Sequence, residues 1–203
     1  MPSRTYKTSE QTRASILQKA IELFNEDGTA AVSVNALAGA LGISAGNLQY
    51  HYRNKGEVIR AILEEMFNEF EVIYIPGEEP FNLDALRRAM RFNFDLVWKY
   101  RFFYREHAAL LRADKILAGR FREIQETRLA EQETILKQLA VPGRVENILH
   151  PDEFHNVLLM GWVLVHTWLP YVESIGQTIN EAALEQAVEM MIQFYKPYIG
   201  DQS

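Results

Sequence analysis

The chain has 203 residues, of which 48% are hydrophobic and 24% charged, a composition typical of a globular protein with one or two domains. The absence of cysteine excludes disulfides, thiolate metal sites and cysteine nucleophiles, and a location in the cytoplasm is expected. The net charge is -6, yet residues 1–60 carry seven Lys/Arg against five Asp/Glu, so only this part is expected to meet a polyanion. The most apolar run, residues 157–169, is shorter than a bilayer-spanning helix, so we expect no membrane contact.

Helix start and stop signals follow one another along the N-terminal part. A capping pattern and an apolar stripe predict a first helix that ends at Asp27-Gly28. Ser33 can cap a short second helix that stops at Gly42, and Ser44 can cap a third helix of about two turns. Asn54 begins a capping box for the fourth. These signals predict a compact three-helix domain over residues 1–55.

In the rest of the chain the spacing of apolar residues also predicts helices, and apolar and polar residues show no sustained alternation that would indicate a sheet. Breaks containing proline and glycine are predicted at residues 75–82 and 141–151. The predicted fold is therefore all-α, with about nine helices and a second domain over residues 56–203. After the fourth helix, the predicted helices cover residues 83–100, 103–112, 114–139, 152–172 and 180–197.

The second and third helices, joined by Gly42-Ile43-Ser44, have the layout of a helix-turn-helix, whose second helix enters the major groove of DNA. Asn and Gln on the outer face can pair with adenine, small residues permit close approach, and hydroxyl, aromatic and cationic groups can contact phosphates. Residues 33–55 contain no Asp or Glu that would repel DNA. The candidate DNA-binding residues are Ser33, Ser44, Ala45, Gly46, Asn47, Gln49, Tyr50, His51 and Lys55.

Two other functions stay open at this level. The short helices could be amphipathic connectors in a helical protein-interaction module that has no DNA role. A helical enzyme is the other alternative, with Glu123, Glu126, His150 and His155 as candidate acids and bases. These residues lack a nucleophile elbow, a phosphate-binding loop or a zinc-binding pattern, and charged helix faces explain them better.

Residues 12–62 closely resemble the N-terminal DNA-binding domain of TetR-family transcriptional regulators. The resemblance implies a DNA-binding regulator, by default a repressor, and no catalytic residues or cofactor. At the position of Gln49 the family often has tyrosine, so the resemblance implies the docking mode but not the identity of the bases that are read. The residues that carry the resemblance are Ala20, Leu23, Phe24, Gly28, Leu37, Ala38, Gly42, Ile43, Ser44, Leu48, Tyr50, His51, Tyr52, Lys55 and Ile59.

Residues 98–121 resemble the C-terminal domain of one subgroup of that family, which implies that the last two helices pair with those of a second subunit. A homodimer is also expected because a two-turn recognition helix makes few base contacts, whereas two helices can read a palindromic operator. The alternative is that the apolar stripes of these helices close the subunit's own core. The stripes are Val157, Leu158, Gly161, Trp162, Val165 and Leu169, then Leu184, Ala187, Val188, Met191, Phe194 and Tyr195.

The C-terminal part is rich in aromatic residues, and the resemblance implies a cavity there for a small molecule that releases DNA. We expect an apolar or aromatic effector. Ordinary core packing is the alternative for each of these residues, and hydrogen-bonded core histidines are more common than metal ligands, so no metal site is predicted. The candidate effector-binding residues are Phe94, Trp98, Phe103, His107, Trp162 and His166.

Overall fold

The computed structural model describes residues 9–71, 83–139 and 151–198, and within these ranges the chain forms nine α-helices and no strand. The predicted all-α class is confirmed. The predicted break at 75–82, and all but the last residue of the break at 141–151, lie outside the described residues. The helices are α1 (Ser9–Ala31), α2 (Val34–Leu41), α3 (Ala45–His51), α4 (Lys55–Glu71), α5 (Leu83–Lys99), α6 (Arg101–Ala113), α7 (Lys115–Leu139), α8 (Pro151–Ser174) and α9 (Glu181–Tyr195).

The chain divides into two compact units, Met1–Met66 and Phe67–Ser203. The division falls within α4. The boundary drawn from the sequence, between residues 55 and 56, lies in the first turn of the same helix and stays a prediction.

The core of the first unit is built from one apolar face of each helix. Gly28 interrupts α1 with φ 79° and ψ 158°, at the predicted stop signal. Gly42 ends α2 in the left-handed region with φ 66°, where its N–H donates to Gly39 O at 3.1 Å. Buried side chains of this core are Ile16, Leu17, Ala20, Ile21, Phe24, Leu37, Ala38, Leu48, Tyr52, Val58, Ile62 and Leu63.

In the second unit, α9 packs against α5, and α8 packs against α5, α6, α7 and α9. Phe94, Tyr100, Phe102 and Phe103 are completely buried at the centre of this packing. Near the C-terminus of α4, the buried Arg128 donates from its guanidinium to Phe67 O at 2.5 Å. No basic residue lies in the last turn of α4, so Arg128 supplies a cation there, where the helix dipole favours one.

The apolar stripes predicted for the dimer lie in the core of the subunit. In α8 and α9 they are buried, apart from the half-buried Trp162 and Phe194, so the alternative that they close the subunit's core is confirmed. A different apolar face of α8 is exposed, formed by Leu159, Met160 and Val163. Periodicity identifies the apolar faces of a helix but does not say whether a face meets its own chain or a second one.

Candidate functional site

Two serine caps begin the helices of the helix-turn-helix. Ser33 Oγ accepts the N–H of Ala36 at 3.1 Å, and Ser44 Oγ accepts the N–H of Asn47 at 3.1 Å. Both predicted caps are therefore confirmed. Because a serine hydroxyl that accepts one hydrogen bond keeps its own hydrogen, both exposed side chains can still donate to a phosphate.

The recognition-helix candidate, α3, is held at its middle and its end as well. Leu48 is completely buried and Tyr52 is 3% exposed, so these two side chains face the core. Arg13, from α1, donates to the carbonyl of His51 at 3.2 Å and lies 4.6 Å from the centre of the Tyr52 ring. Burial raises the pKa of Tyr52, and the nearby Arg13 charge opposes that shift. These contacts fix the last turn of α3 against α1.

The outer face of α3 is open to solvent. Gly46, Asn47, Gln49 and Tyr50 are exposed, and Tyr50 is 83% exposed, whereas Ala45 is half-buried. The half-buried His51 lies edge-on to Tyr50, with 5.2 Å between ring centres. This face has small residues in its first turn and hydrogen-bonding groups in its second, an arrangement that suits close approach to base edges.

Lys55 has partners within the first unit that the sequence did not indicate, and its predicted phosphate contact stays a prediction. Its ammonium donates to Thr29 O at 2.5 Å and to Val32 O at 3.0 Å, so two of its three hydrogens are used inside the first unit. These carbonyls follow the interruption of α1 at Gly28 and lie where that helix ends. Carbonyls at helix ends lack intrahelical partners, so these two oxygens accept hydrogen bonds from the Lys55 ammonium.

Arg53 is a cation that the site prediction missed. Its side chain is exposed and has no hydrogen bond or ion pair within the described part of the chain, whereas its backbone N–H donates to Glu57 Oε2 at 2.8 Å. Glu57 N–H donates in turn to Asn54 Oδ1 at 3.0 Å, which confirms the predicted cap of α4. The missed signal was visible in the sequence, since Arg53 lies in the acid-free stretch of residues 33–55.

The aromatic residues of the second unit form a cluster that contains four of the six predicted effector residues. Phe103 lies 6.2 Å from His107, and Trp162 stacks on His166 at 5.4 Å between ring centres. Tyr104 and Phe121, which the site prediction missed, connect the two pairs. The centre of the Phe121 ring lies 5.7 Å from that of Phe103 and 6.4 Å from that of His166. The centre of the Tyr104 ring lies 5.8 Å from that of Phe103 and 5.5 Å from that of His166.

Phe94 and Trp98 have other partners. Phe94 is buried against Trp168, with 5.1 Å between ring centres, and the guanidinium of Arg101 lies 4.4 Å from the centre of the Trp98 ring. Their assignment to the effector site stays a prediction. In the cluster itself, His107, Phe121, Trp162 and His166 are half-buried, so these rings keep accessible surface.

Two sequence models of known families match the chain. One, described as bacterial transcriptional repressor, matches residues 64–203, and the other, described as bacterial regulatory proteins of the tetR family, matches residues 16–62. The chain belongs to the TetR family. Together the two matches extend from residue 16 to residue 203, apart from residue 63, and the second contains the whole helix-turn-helix of this TetR-family regulator.

The TetR-family chain is similar to a solved TetR-family transcriptional regulator from Marinobacter aquaeolei VT8, with 30% identity and a TM-score of 0.83 over 94% of this chain and 92% of the other. It is 30% identical over 87 residues to the biofilm operon negative transcriptional regulator IcaR of Staphylococcus epidermidis, covering 42% of this chain and 47% of IcaR. It is 27% identical over 86 residues to the regulator TtgR of Pseudomonas putida, covering 42% of this chain and 41% of TtgR. The chain thus spans less than half the length of these two curated relatives.

Among the described residues of this TetR-family regulator, no helix is long and apolar enough to cross a membrane. The same residues contain no group of three or more His, Asp or Glu side chains placed to hold a metal ion.

Proposed function

We propose that this TetR-family regulator is a cytoplasmic repressor that binds a palindromic operator as a homodimer and is released by a small apolar or aromatic effector. The observation that carries the proposal is the exposed face of α3, which lies in a stretch without acidic residues. IcaR, one of its relatives, is named a negative regulator. The relatives described above are named as transcriptional regulators, which favours this function over an interaction module or an enzyme.

The residues of the helix-turn-helix divide into two roles. Asn47 and Gln49 face bases, where each amide can form two hydrogen bonds to adenine, and Ala45 and Gly46 allow the helix to come close. The remaining residues contact the DNA backbone, which sets the position of the protein without reading sequence. They are Ser33, Ser44, Tyr50, His51 and, newly, Arg53.

Selection of bound sites from random duplexes should yield a palindrome with two half-sites about one helical turn, or a multiple of it, apart. Gln49→Ala should then weaken binding to the selected duplex by about 1–3 kcal/mol per half-site and relax the preference at one base pair in each. Fluorescence anisotropy with single-base variants of the duplex measures both effects.

Gln193→Ala is the matched control, because Gln193 is an exposed glutamine on α9 in the second unit. It should leave affinity and base preference unchanged. A selection that enriches no sequence, or an unchanged base preference in Gln49→Ala, would contradict the assigned face of α3.

The proposed dimer forms through the exposed apolar face of α8. Leu159, Met160 and Val163 are 46%, 48% and 53% exposed, and their spacing places them on one side of the helix. Clusters of exposed large apolar side chains commonly mark protein interfaces. Two subunits are also what a palindromic site requires, since each recognition helix reads one half-site.

Val163→Glu should convert the dimer into a monomer and abolish binding to the full palindrome, because a carboxylate in an apolar interface loses its hydration without gaining a partner. Size-exclusion chromatography with light scattering measures the mass. Ile116→Glu is the control: Ile116 is 69% exposed on α7, and its replacement should leave the dimer intact. If Val163→Glu remains a dimer, the interface lies elsewhere.

The aromatic cluster supports the effector part of the proposal: the buried Phe103 and Tyr104 lie against the half-buried His107, Phe121, Trp162 and His166. Ligand sites are mostly apolar, with a few placed polar groups, and this cluster combines aromatic rings with two imidazoles. An effector lowers operator affinity if it binds the DNA-free arrangement of the protein more tightly than the DNA-bound one.

A further inference from the structure

The imidazole of His166 lies among three aromatic rings from α6, α7 and α8. Trp162 stacks on it with 5.4 Å between ring centres and 19° between planes, Tyr104 lies at 5.5 Å, and Phe121 is edge-on at 6.4 Å. The indole N–H of Trp162 donates to the side-chain oxygen of Gln132, which holds the stacked ring in place. We call Tyr104, Phe121 and Trp162 the aromatic wall.

The position of the hydrogen on His166 follows from its neighbour. Nδ1 lies 2.9 Å from the carbonyl oxygen of Trp162, which can only accept, so Nδ1 carries the hydrogen. Burial lowers the pKa of His166 from its ordinary value of 6.5; the bond to Trp162 opposes this shift, while His107 and Arg128 reinforce it. The ring is therefore neutral at neutral pH, and Nε2 presents a lone pair.

Among the residues that the structure describes, none donates a hydrogen bond to Nε2 of His166. The atom is not sealed off either. In the described part of the chain, the fully buried side-chain oxygen or nitrogen without a partner is Oδ1 of Asn93, and not Nε2 of His166. His166 is half-buried, so solvent can reach Nε2. An unpaired acceptor beside three aromatic rings favours a ligand that brings both a ring and a donor.

We propose that the effector is an aromatic compound bearing a hydroxyl group, whose O–H donates to Nε2 of His166 while its ring packs against the half-buried Phe121 and Trp162 of the aromatic wall. This assignment rests on the effector site of the proposed function and adds the chemical class. An aromatic hydrocarbon of the same shape would leave the lone pair unpaired, and an aromatic carboxylate would place an anion against it. Sites built around a hydrogen bond reject analogues that lack the group more strongly than apolar pockets reject small differences in size.

The test compares 2-naphthol, 2-methoxynaphthalene and naphthalene by isothermal titration calorimetry with the full-length protein at pH 7, where a phenolic hydroxyl keeps its hydrogen. 2-Naphthol should bind about ten- to a hundredfold more tightly than its methyl ether. In His166→Phe, which keeps a ring and removes the lone pair, the two affinities should become equal. His166→Gln, which keeps an acceptor oxygen, should retain part of the preference and shows that the site still folds.

Equal binding of 2-naphthol and its ether to the wild-type protein, or a preference that survives His166→Phe, would overturn the hydroxyl assignment and leave the effector site standing. Failure of all three compounds to bind up to their solubility limits would overturn both the assignment and the effector part of the proposed function. The operator-binding part is judged separately by the duplex selection, which uses no effector.

Discussion

Replacing Lys55 by alanine is expected to lower the free energy of unfolding by about 1–3 kcal/mol, because two carbonyls of the first unit lose a charged donor. The ammonium donates to Thr29 O and Val32 O, which follow the interruption of α1 at Gly28. Alanine offers these oxygens no donor. Both hydrogen bonds are part-buried, so water replaces the lost donor only in part. Urea unfolding of the full-length protein, followed by circular dichroism, measures the change.

Arg53→Ala removes the other cation of the acid-free stretch and serves as the matched comparison. Since the Arg53 side chain is exposed, the variant should keep wild-type stability. It should instead lower the dependence of operator affinity on salt by about one unit of slope per subunit, as expected for one lost phosphate contact. The opposite pattern, with stability unchanged in Lys55→Ala and salt dependence unchanged in Arg53→Ala, would restore Lys55 as the phosphate contact.

Gly161→Ala is expected to destabilise the second unit by about 1–3 kcal/mol through overpacking of α8 against α9. A methyl group on Gly161 would overlap the hydroxyl of Tyr195 and lie 2.8 Å from Cζ of that ring. Tyr195 is 5% exposed, so the ring has little room to move away. Thermal and urea unfolding measure the loss.

A series of backgrounds identifies the cause of that loss. The destabilisation caused by Gly161→Ala should decrease from wild type to Tyr195→Phe and further to Tyr195→Leu, as the overlapping atoms are removed. Gly119→Ala on α7 is the control, because the added methyl group has no atom within 4 Å apart from its neighbours in the chain and its own helix backbone. It should stabilise the helix by up to about 1 kcal/mol. A constant effect of Gly161→Ala across the three backgrounds would exclude overlap with Tyr195 as its cause.

The sequence was sufficient for features whose contacts are local along the chain. The caps at Ser33, Ser44 and Asn54 each join a side chain to an N–H three residues later. The helix stops at Gly28 and Gly42 both have positive φ, which glycine adopts without strain. A pattern of a few letters contains all the atoms of such contacts, so the helix-turn-helix and its limits could be predicted.

Contacts between distant positions could not be predicted in the same way. Lys55 reaches carbonyls 26 and 23 residues earlier, and no local pattern shows which carbonyls lack partners. For the same reason the apolar stripes of α8 and α9 were ambiguous: the buried Leu158 and the exposed Leu159 are adjacent in the sequence, and only packing distinguishes them. Tyr104 was missed in the aromatic cluster because its ring meets His166 from another helix.

The recognition helix is ordered before any DNA is present. A seven-residue helix is unstable as an isolated peptide, yet Ser44 fixes the start of α3, Leu48 its middle and Arg13 its end. Ordering a residue costs about 1–2 kcal/mol of backbone conformational entropy, and for α3 this loss occurs during folding and not during association. We therefore expect the encounter with an operator to be a docking of preformed surfaces, with a rate set by diffusion and orientation and not by the formation of a helix.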